Sequence, residues 1–193
     1  MRHYERRLPH WDSIGQPLFV TFRLYDSLPA NRVFPPDRLT SGRAFVAFDR
    51  LLDRATSGPL FLRIPDIADL VVEALRDGER RFGRYELHSF VVMPNQVHLL
   101  VTPRVVSTHW LGPLKGFTSH SANRILGRHG MPFWQDESYD HLVRSDTEFR
   151  RRVESCQGWV SRQEGGLPLV ECRLKGGCSN DWLPPPRKVL HRI

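Results

Sequence analysis

No apolar run in this 193-residue chain approaches the roughly 20 residues that a membrane-spanning helix requires. The first residues, MRHYERRLPHWD, contain no apolar stretch of the kind a secretory leader carries. The chain is therefore expected to be soluble and cytoplasmic, without a membrane partner. Cysteine is scarce and late: Cys156, Cys172 and Cys178 form an odd, clustered set with no Cys-x-x-Cys spacing. That argues against a disulfide framework and against a zinc site. A small-molecule enzyme has no supporting constellation, because neither a glycine-rich phosphate loop nor a clear nucleophilic triad is present. Lysine is almost missing, with only Lys115, Lys175 and Lys188 among 28 Lys plus Arg.

Arginine fills that gap and gives a net charge of +7 and a pI near 9.9. Guanidinium forks match phosphate oxygens and stack on bases, so a nucleic-acid partner is the natural inference. The plainer alternative is a basic protein whose arginines serve only solvation. The length suits one domain with a proper core and some additional chain.

The elements are read in order. Residues 1–16 form a polar and aromatic arm. Pro17–Leu24 (PLFVTFRL) is apolar and β-branched and predicts a strand. Residues 26–37 hold three prolines and predict a loop, followed by a helix over Asp37–Ala55. Pro65 and Asp66 then open a second helix with Ile67, Leu70, Val71, Ala74 and Leu75 as its buried stripe and Gly83 as its cap. A third helix is expected to begin at Pro113 and run to about Leu126 or Gly127. Leu114, Phe117, Ile125 and Leu126 would face inward, and Lys115, His120, Asn123 and Arg124 outward. Its outer face, with Arg128 and His129 just beyond, is the best candidate for contact with a phosphate backbone; a merely solvated face is the alternative. Gly130–Val143 reads as a loop and a short strand. Ser145-Asp146-Thr147-Glu148 matches a capping box and predicts a further helix with Phe149 and Val153 inward and Arg150, Arg151 and Arg152 adding positive charge. From Cys156 onward two Gly-Gly pairs, three consecutive prolines and no sustained period predict little regular structure. This order predicts an α+β fold, a ferredoxin-like split βαβ with an antiparallel sheet flanked by helices. The domain is expected to span 1–155, with 156–193 an irregular tail.

Residues 85–103, YELHSFVVMPNQVHLLVTP, hold the chemistry. Two apolar-rich runs flank Met93-Pro94-Asn95, which predicts a β-hairpin. In its second strand Gln96, His98, Leu100 and Thr102 share one face, and Val97, Leu99 and Val101 share the other. A Gln beside a His on a rigid strand suits a metal or phosphate site. The plain alternative is a half-buried strand with two polar residues on its wet face. Of the other histidines, His120 and His129 suit solvent or phosphate, and His88 suits a satisfied, partly buried position. Phe133 and Trp134 can stack on bases or pack in the core.

The segments MPNQVHLL, LKGFT, FWQ and YDHLVR, in that order and spacing, resemble the REP-associated tyrosine transposases, members of the HUH-type single-strand DNA transposases. The similarity runs from about Arg2 to Phe149. The resemblance implies DNA as partner, single-stranded or hairpin, a monomer or homodimer, and a function in DNA transposition and recombination. It also implies a strand with a His-hydrophobic-His pair that binds Mg²⁺ or Mn²⁺, and a helix tyrosine that attacks the phosphodiester. The second histidine falls on His98 and the first on Gln96, a weaker donor than imidazole. The nucleophile position falls on Ser155, and the metal-site partner one helical turn later falls on Trp159. No tyrosine follows Tyr139. Tyr139 itself, two residues before His141, is the one substitute nucleophile in this region. Lys115, Arg124, Arg128, Arg150 and Arg151 are the candidate nucleic-acid contacts.

The tail carries a further sign. Family members continue with a YIENNPVKAGLV-like segment and then a YRWSSA-like one. Residues 156–173 can be back-translated so that a reading one base on spells VKAGLVARKEAYRWSSA. Tryptophan and the other constrained codons leave little freedom in that choice. A small deletion near Ser155 that removed the tyrosine and shifted the frame explains both losses. Three functional readings follow: a transposase-family DNA binder with impaired or lost cleavage, an active enzyme using Tyr139, or a repurposed, non-catalytic nucleic-acid-binding protein.

Overall fold

A four-residue ribbon opens the chain, β1 (Arg2–Glu5) paired antiparallel with β2 (Pro9–Asp12). The expected polar and aromatic arm contains this strand pair. The computed structural model describes residues 2–5, 9–12, 14–27, 58–160 and 169–172, with side chains for 14–27 and 58–154. The expected loop over 26–37, beyond residue 27, and the expected helix Asp37–Ala55 lie outside the described residues.

The main sheet has five strands: β3 (Leu18–Arg23), β4 (Tyr85–Val92), β5 (Gln96–Pro103), β6 (Tyr139–Leu142) and β7 (Leu169–Cys172). Their order is β6-β3-β5-β4-β7, with every neighbour antiparallel. Helix α1 (Pro65–Arg80) lies between β3 and β4 in sequence, and α2 (Ser107–Ile125) lies between β5 and β6. Each βαβ unit is therefore split by one inserted strand: β5 sits between β3 and β4, and β3 sits between β5 and β6. This is the expected ferredoxin-like α+β fold. Helix α3 (Asp146–Val160) follows β6. No described helix is long and apolar enough to cross a membrane.

Local chemistry explains most boundaries. Pro65 occupies the first turn of α1, where its missing N–H costs nothing, and Asp66 sits at the positive end of the helix dipole. Gly83 takes φ +58°, and the Arg84 N–H reaches back to the Gly78 carbonyl at 2.9 Å, closing the helix. Gly78 has a separate reason to lack a side chain. A Cβ there would come within 2.0 Å of the Tyr85 hydroxyl, which donates to the Leu75 carbonyl at 2.7 Å. In α3 the Glu148 N–H bonds the Ser145 hydroxyl at 3.2 Å, as the capping box predicts. The Glu148 carboxylate reaches one residue further back, to the Arg144 N–H at 3.0 Å.

Helix α2 departs from expectation. It starts at Ser107, and Pro113 lies inside it. Trp110, Leu111 and Leu114 are buried against the core, and that packing carries the helix through an exposed proline. The buried stripe runs through Trp110, Leu111, Leu114, Thr118 and Ala122. Phe117 and Ile125, expected inward, are exposed, whereas Asn123, expected outward, is buried with its amide donating to the Met131 carbonyl at 2.6 Å. The expected irregularity from Cys156 is also corrected. Helix α3 continues to Val160, and β7 pairs with the edge of β4, because that edge offers unsatisfied backbone groups to any extended segment within reach.

Two apolar clusters hold the sheet. Leu18, Val20, Phe22, Val97, Leu99 and Val101 meet α1 and α2 on one face. Phe133 and Trp134 belong to this core, so packing is the better account of both rings. On the other face Phe19, Val91, Met93, Leu100 and Val143 meet Phe149 and Val153 of α3. Each such side chain contributes about 1.5–3 kcal/mol when fully buried.

Candidate functional site beneath helix α3

Strand alternation and register put a polar row on the α3 side of the sheet. Tyr139, Thr21, His98 and Val91 stand side by side across β6, β3, β5 and β4. The adjacent register pair is Arg23 and Gln96. The expected common face of Gln96, His98 and Leu100 is present, but it is not wet. Gln96 is 0% exposed and His98 2%, and on this side of the sheet Phe149 and Val153 of α3 pack with Phe19, Val91 and Leu100.

His98 is held from two sides. Its Nδ1 shares a 2.7 Å hydrogen bond with the Thr21 hydroxyl, and its ring stacks on Phe19, with centroids 5.8 Å apart and planes inclined by 15°. The Arg152 guanidinium lies 4.5 Å above the other partner in that stack, Phe19. The Gln96 amide nitrogen lies 3.6 Å from the Met93 sulfur, a contact within the hairpin turn. His88 shares a 2.7 Å hydrogen bond with Thr102 and meets the Phe149 ring edge-on, in keeping with a satisfied, partly buried histidine.

Divalent ions of the Mg²⁺ class take hard oxygen ligands, mostly carboxylates and waters. Among the described residues no group of three or more His, Cys, Asp or Glu can hold a metal. Gln96 and His98 offer one amide and one imidazole, both closed off from solvent, and the imidazole Nδ1 is engaged by Thr21. Among the described residues, Gln96 and His98 by themselves do not make up a ligand set for a divalent ion.

Tyr139 is half-buried and stacks nearly parallel to His141, with planes 5° apart. Burial raises its phenol pKa above the ordinary value; the nearby Arg152 charge opposes that rise, and Glu148 and Asp140 add to it. The phenol is thus harder to deprotonate than that of a free tyrosine, the reverse of activation. His141 is tied to Glu148 at 2.5 Å. Burial works to raise the Glu148 carboxyl, but the Arg144 N–H and His141 outweigh it and hold it below the usual range. His141 is thereby tied to the cap of α3. Ser155 lies within α3 by its backbone, as does Trp159; both side chains lie outside those described.

The candidate nucleic-acid contacts divide into two kinds. Arg124, Arg150 and Arg151 are exposed. Arg128 is half-buried, with its guanidinium 4.6 Å over the Phe61 ring. Lys115 is engaged internally: its ammonium donates to the Gln135 carbonyl at 2.6 Å and the Asp136 carbonyl at 2.8 Å. Thr21 was missed from sequence, and Arg152 was read only as part of the positive charge of α3. Thr21 alternates onto the same face as Phe19, but its pairing with His98 depends on a long-range register.

No family model matches this chain, and no curated protein matches it. Among solved structures it is similar to a REP-associated tyrosine transposase bound to a REP hairpin. That similarity has 17% sequence identity, covers 83% of this chain and 77% of the other, and has a TM-score of 0.46.

Proposed function

We propose that this chain is a DNA-binding protein of the REP-associated tyrosine transposase type that engages single-stranded or hairpin DNA and no longer carries out metal-assisted strand cleavage. The observation that carries the reading is the state of the Gln96–His98 strand. It has the position that the sequence resemblance assigns to a metal strand, yet both side chains are buried, and no acidic group completes a ligand set among the described residues.

Cleavage of a phosphodiester by this route needs a nucleophile in line with the phosphorus and a cation on the developing charge. Burial makes the Tyr139 phenol harder to deprotonate. Ser155 stands at the position the resemblance gives to tyrosine. Binding asks for much less. Exposed Arg124, Arg144, Arg150 and Arg151 supply cations for phosphates, in line with the net charge of +7.

The test is an oligonucleotide that folds into a hairpin, incubated with Mg²⁺ or Mn²⁺ and resolved on a denaturing gel beside a binding titration. Saturable binding that weakens steeply with salt, with no nicked product and no covalent adduct, is expected. An adduct that disappears in Tyr139→Phe would overturn the non-cleaving reading. No binding at low salt would overturn the DNA-binding one.

A further inference from the structure

On the side of the sheet away from His98, the end of α1, the turn after it and the first half of α2 enclose a groove of about 230 Å³. Its lining is unusual for a basic surface. Phe82 and Phe117 are 51% and 58% exposed, although both are large apolar rings. Phe82 is flanked by two cations: the Arg84 guanidinium lies 4.6 Å from its ring centre and that of Arg81 5.4 Å. Arg81 is also loosely paired with Asp77, at 4.0 Å. Trp110 also lines the groove. It is 1% exposed, and its indole N–H finds no hydrogen-bond partner among the described residues.

These features select a ligand chemistry. Exposed aromatic walls favour a flat ring over an aliphatic chain. Guanidiniums stacked at the rim favour an anion attached to that ring. A free phosphate would leave the aromatic walls idle, and an aliphatic side chain would leave the arginines idle. The volume lies below the roughly 300–1,000 Å³ of sites for drug-sized ligands, which suits one ring system.

We propose that this groove takes a single unpaired base of a DNA strand, stacked on Phe117, with its flanking phosphates against Arg84 and Arg81. The proposal rests on the DNA-binding reading above and adds a second contact, on the opposite side of the sheet from the His98 row.

The probe is a hairpin oligonucleotide with one 2-aminopurine in an unpaired loop position, compared with a fully paired duplex of the same composition. With the wild-type chain, the 2-aminopurine emission is expected to be quenched on binding. Phe117→Ala is expected to weaken the looped probe roughly ten-fold and abolish the quench, while duplex affinity stays the same. Arg84→Gln is expected to lower the salt dependence by about one phosphate contact. Phe117 is exposed, so its truncation leaves the core intact, and a thermal melt checks this directly. If the wild type binds the looped probe and Phe117→Ala binds it equally well with the quench retained, the groove proposal fails while DNA binding stands. If the wild type binds neither probe, the DNA-binding reading fails and takes this proposal with it. If Phe117→Ala instead abolishes self-association in sedimentation and leaves DNA affinity unchanged, the occupant is a second copy of the chain and the proposal is wrong.

Discussion

Thr21 and His98 face each other across β3 and β5, and the threonine hydroxyl and the imidazole Nδ1 share a 2.7 Å hydrogen bond in a space closed to solvent. Two buried polar groups satisfy each other, and the cost of breaking the pair is set by the one left behind. Thr21→Val keeps the shape and removes the hydroxyl, leaving Nδ1 without this partner. The expected loss is about 1–3 kcal/mol in urea unfolding. Thr21→Ser, which keeps the oxygen, should lose less. Because Thr21 is only 6% exposed, DNA affinity of the folded variant should be unchanged. A Thr21→Val variant with full stability and impaired DNA binding would show instead that this pair serves the ligand.

Restoring the histidine that the family resemblance expects at residue 96 should not restore chemistry. Gln96→His places a second imidazole next to His98, yet no carboxylate joins them among the described residues, and both positions are buried. The expected outcome is no Mg²⁺- or Mn²⁺-dependent nicking. The melting temperature should also stay the same when Mn²⁺ is added. A specific site at a thousand times its Kd would add about 4 kcal/mol, so even a modest site would be visible. A clear Mn²⁺-induced rise in Gln96→His would mean that the third ligand lies among residues whose side chains are not described.

Lys115 ties α2 to the chain that leads into β6, through the carbonyls of Gln135 and Asp136. Burial lowers its pKa to about 8, with Asp136, Glu137 and Asp140 opposing that shift and Arg23 adding to it. In the unfolded chain a lysine titrates near 10.4. Between those values the unfolded state binds more protons than the folded one, so stability rises with pH. The contribution is fully present above the unfolded pKa and is lost as pH falls through about 8. Unfolding free energies of the wild type and Lys115→Met, measured from pH 7.5 to 10, should therefore diverge in favour of the wild type. The limit is roughly 1.4 kcal/mol per pH unit. A constant difference across that range would mean that the ammonium is not desolvated.

What the sequence revealed follows how local each signal is. The Met93-Pro94-Asn95 turn, Pro65 at the start of α1, Gly83 at its end and Ser145 at the cap of α3 are read from neighbours within a few residues, and each stands as expected. Pro113 misled for a physical reason. Proline disfavours a helix interior by a known amount, but Trp110 and Leu114 bury enough surface to override it. The face shared by Gln96 and His98 was legible from alternation, but its burial was not. Alternation says which residues point together; it does not say what lies above them. On that side packs α3, whose Phe149 and Val153 were identified as inward-facing without any sign of where they dock. Thr21 was out of reach for the same reason, since its pairing with His98 joins residues 77 apart.

The tail calls for a test on the gene. Residues after Ser155 carry the composition of unselected chain, with paired glycines and a run of three prolines, but the same stretch read one base on can spell VKAGLVARKEAYRWSSA. That string resembles the family tail, whose tyrosine-bearing segment would precede it. The presence of β7 does not weigh against a shifted frame. Leu169–Cys172 adds only an edge strand to β4, and an edge accepts an extended segment through its backbone groups with little regard for side chains. The expected result from sequencing is that the actual codons for 156–173 read that tail in the next frame, with a short deletion near codon 155. Repairing the frame and the deleted segment should then return a helix tyrosine to the position of Ser155, and the repaired chain is expected to form a covalent adduct with hairpin DNA if residue 96 is also made histidine. Codons that spell an unrelated sequence in that frame would remove the explanation for the missing nucleophile.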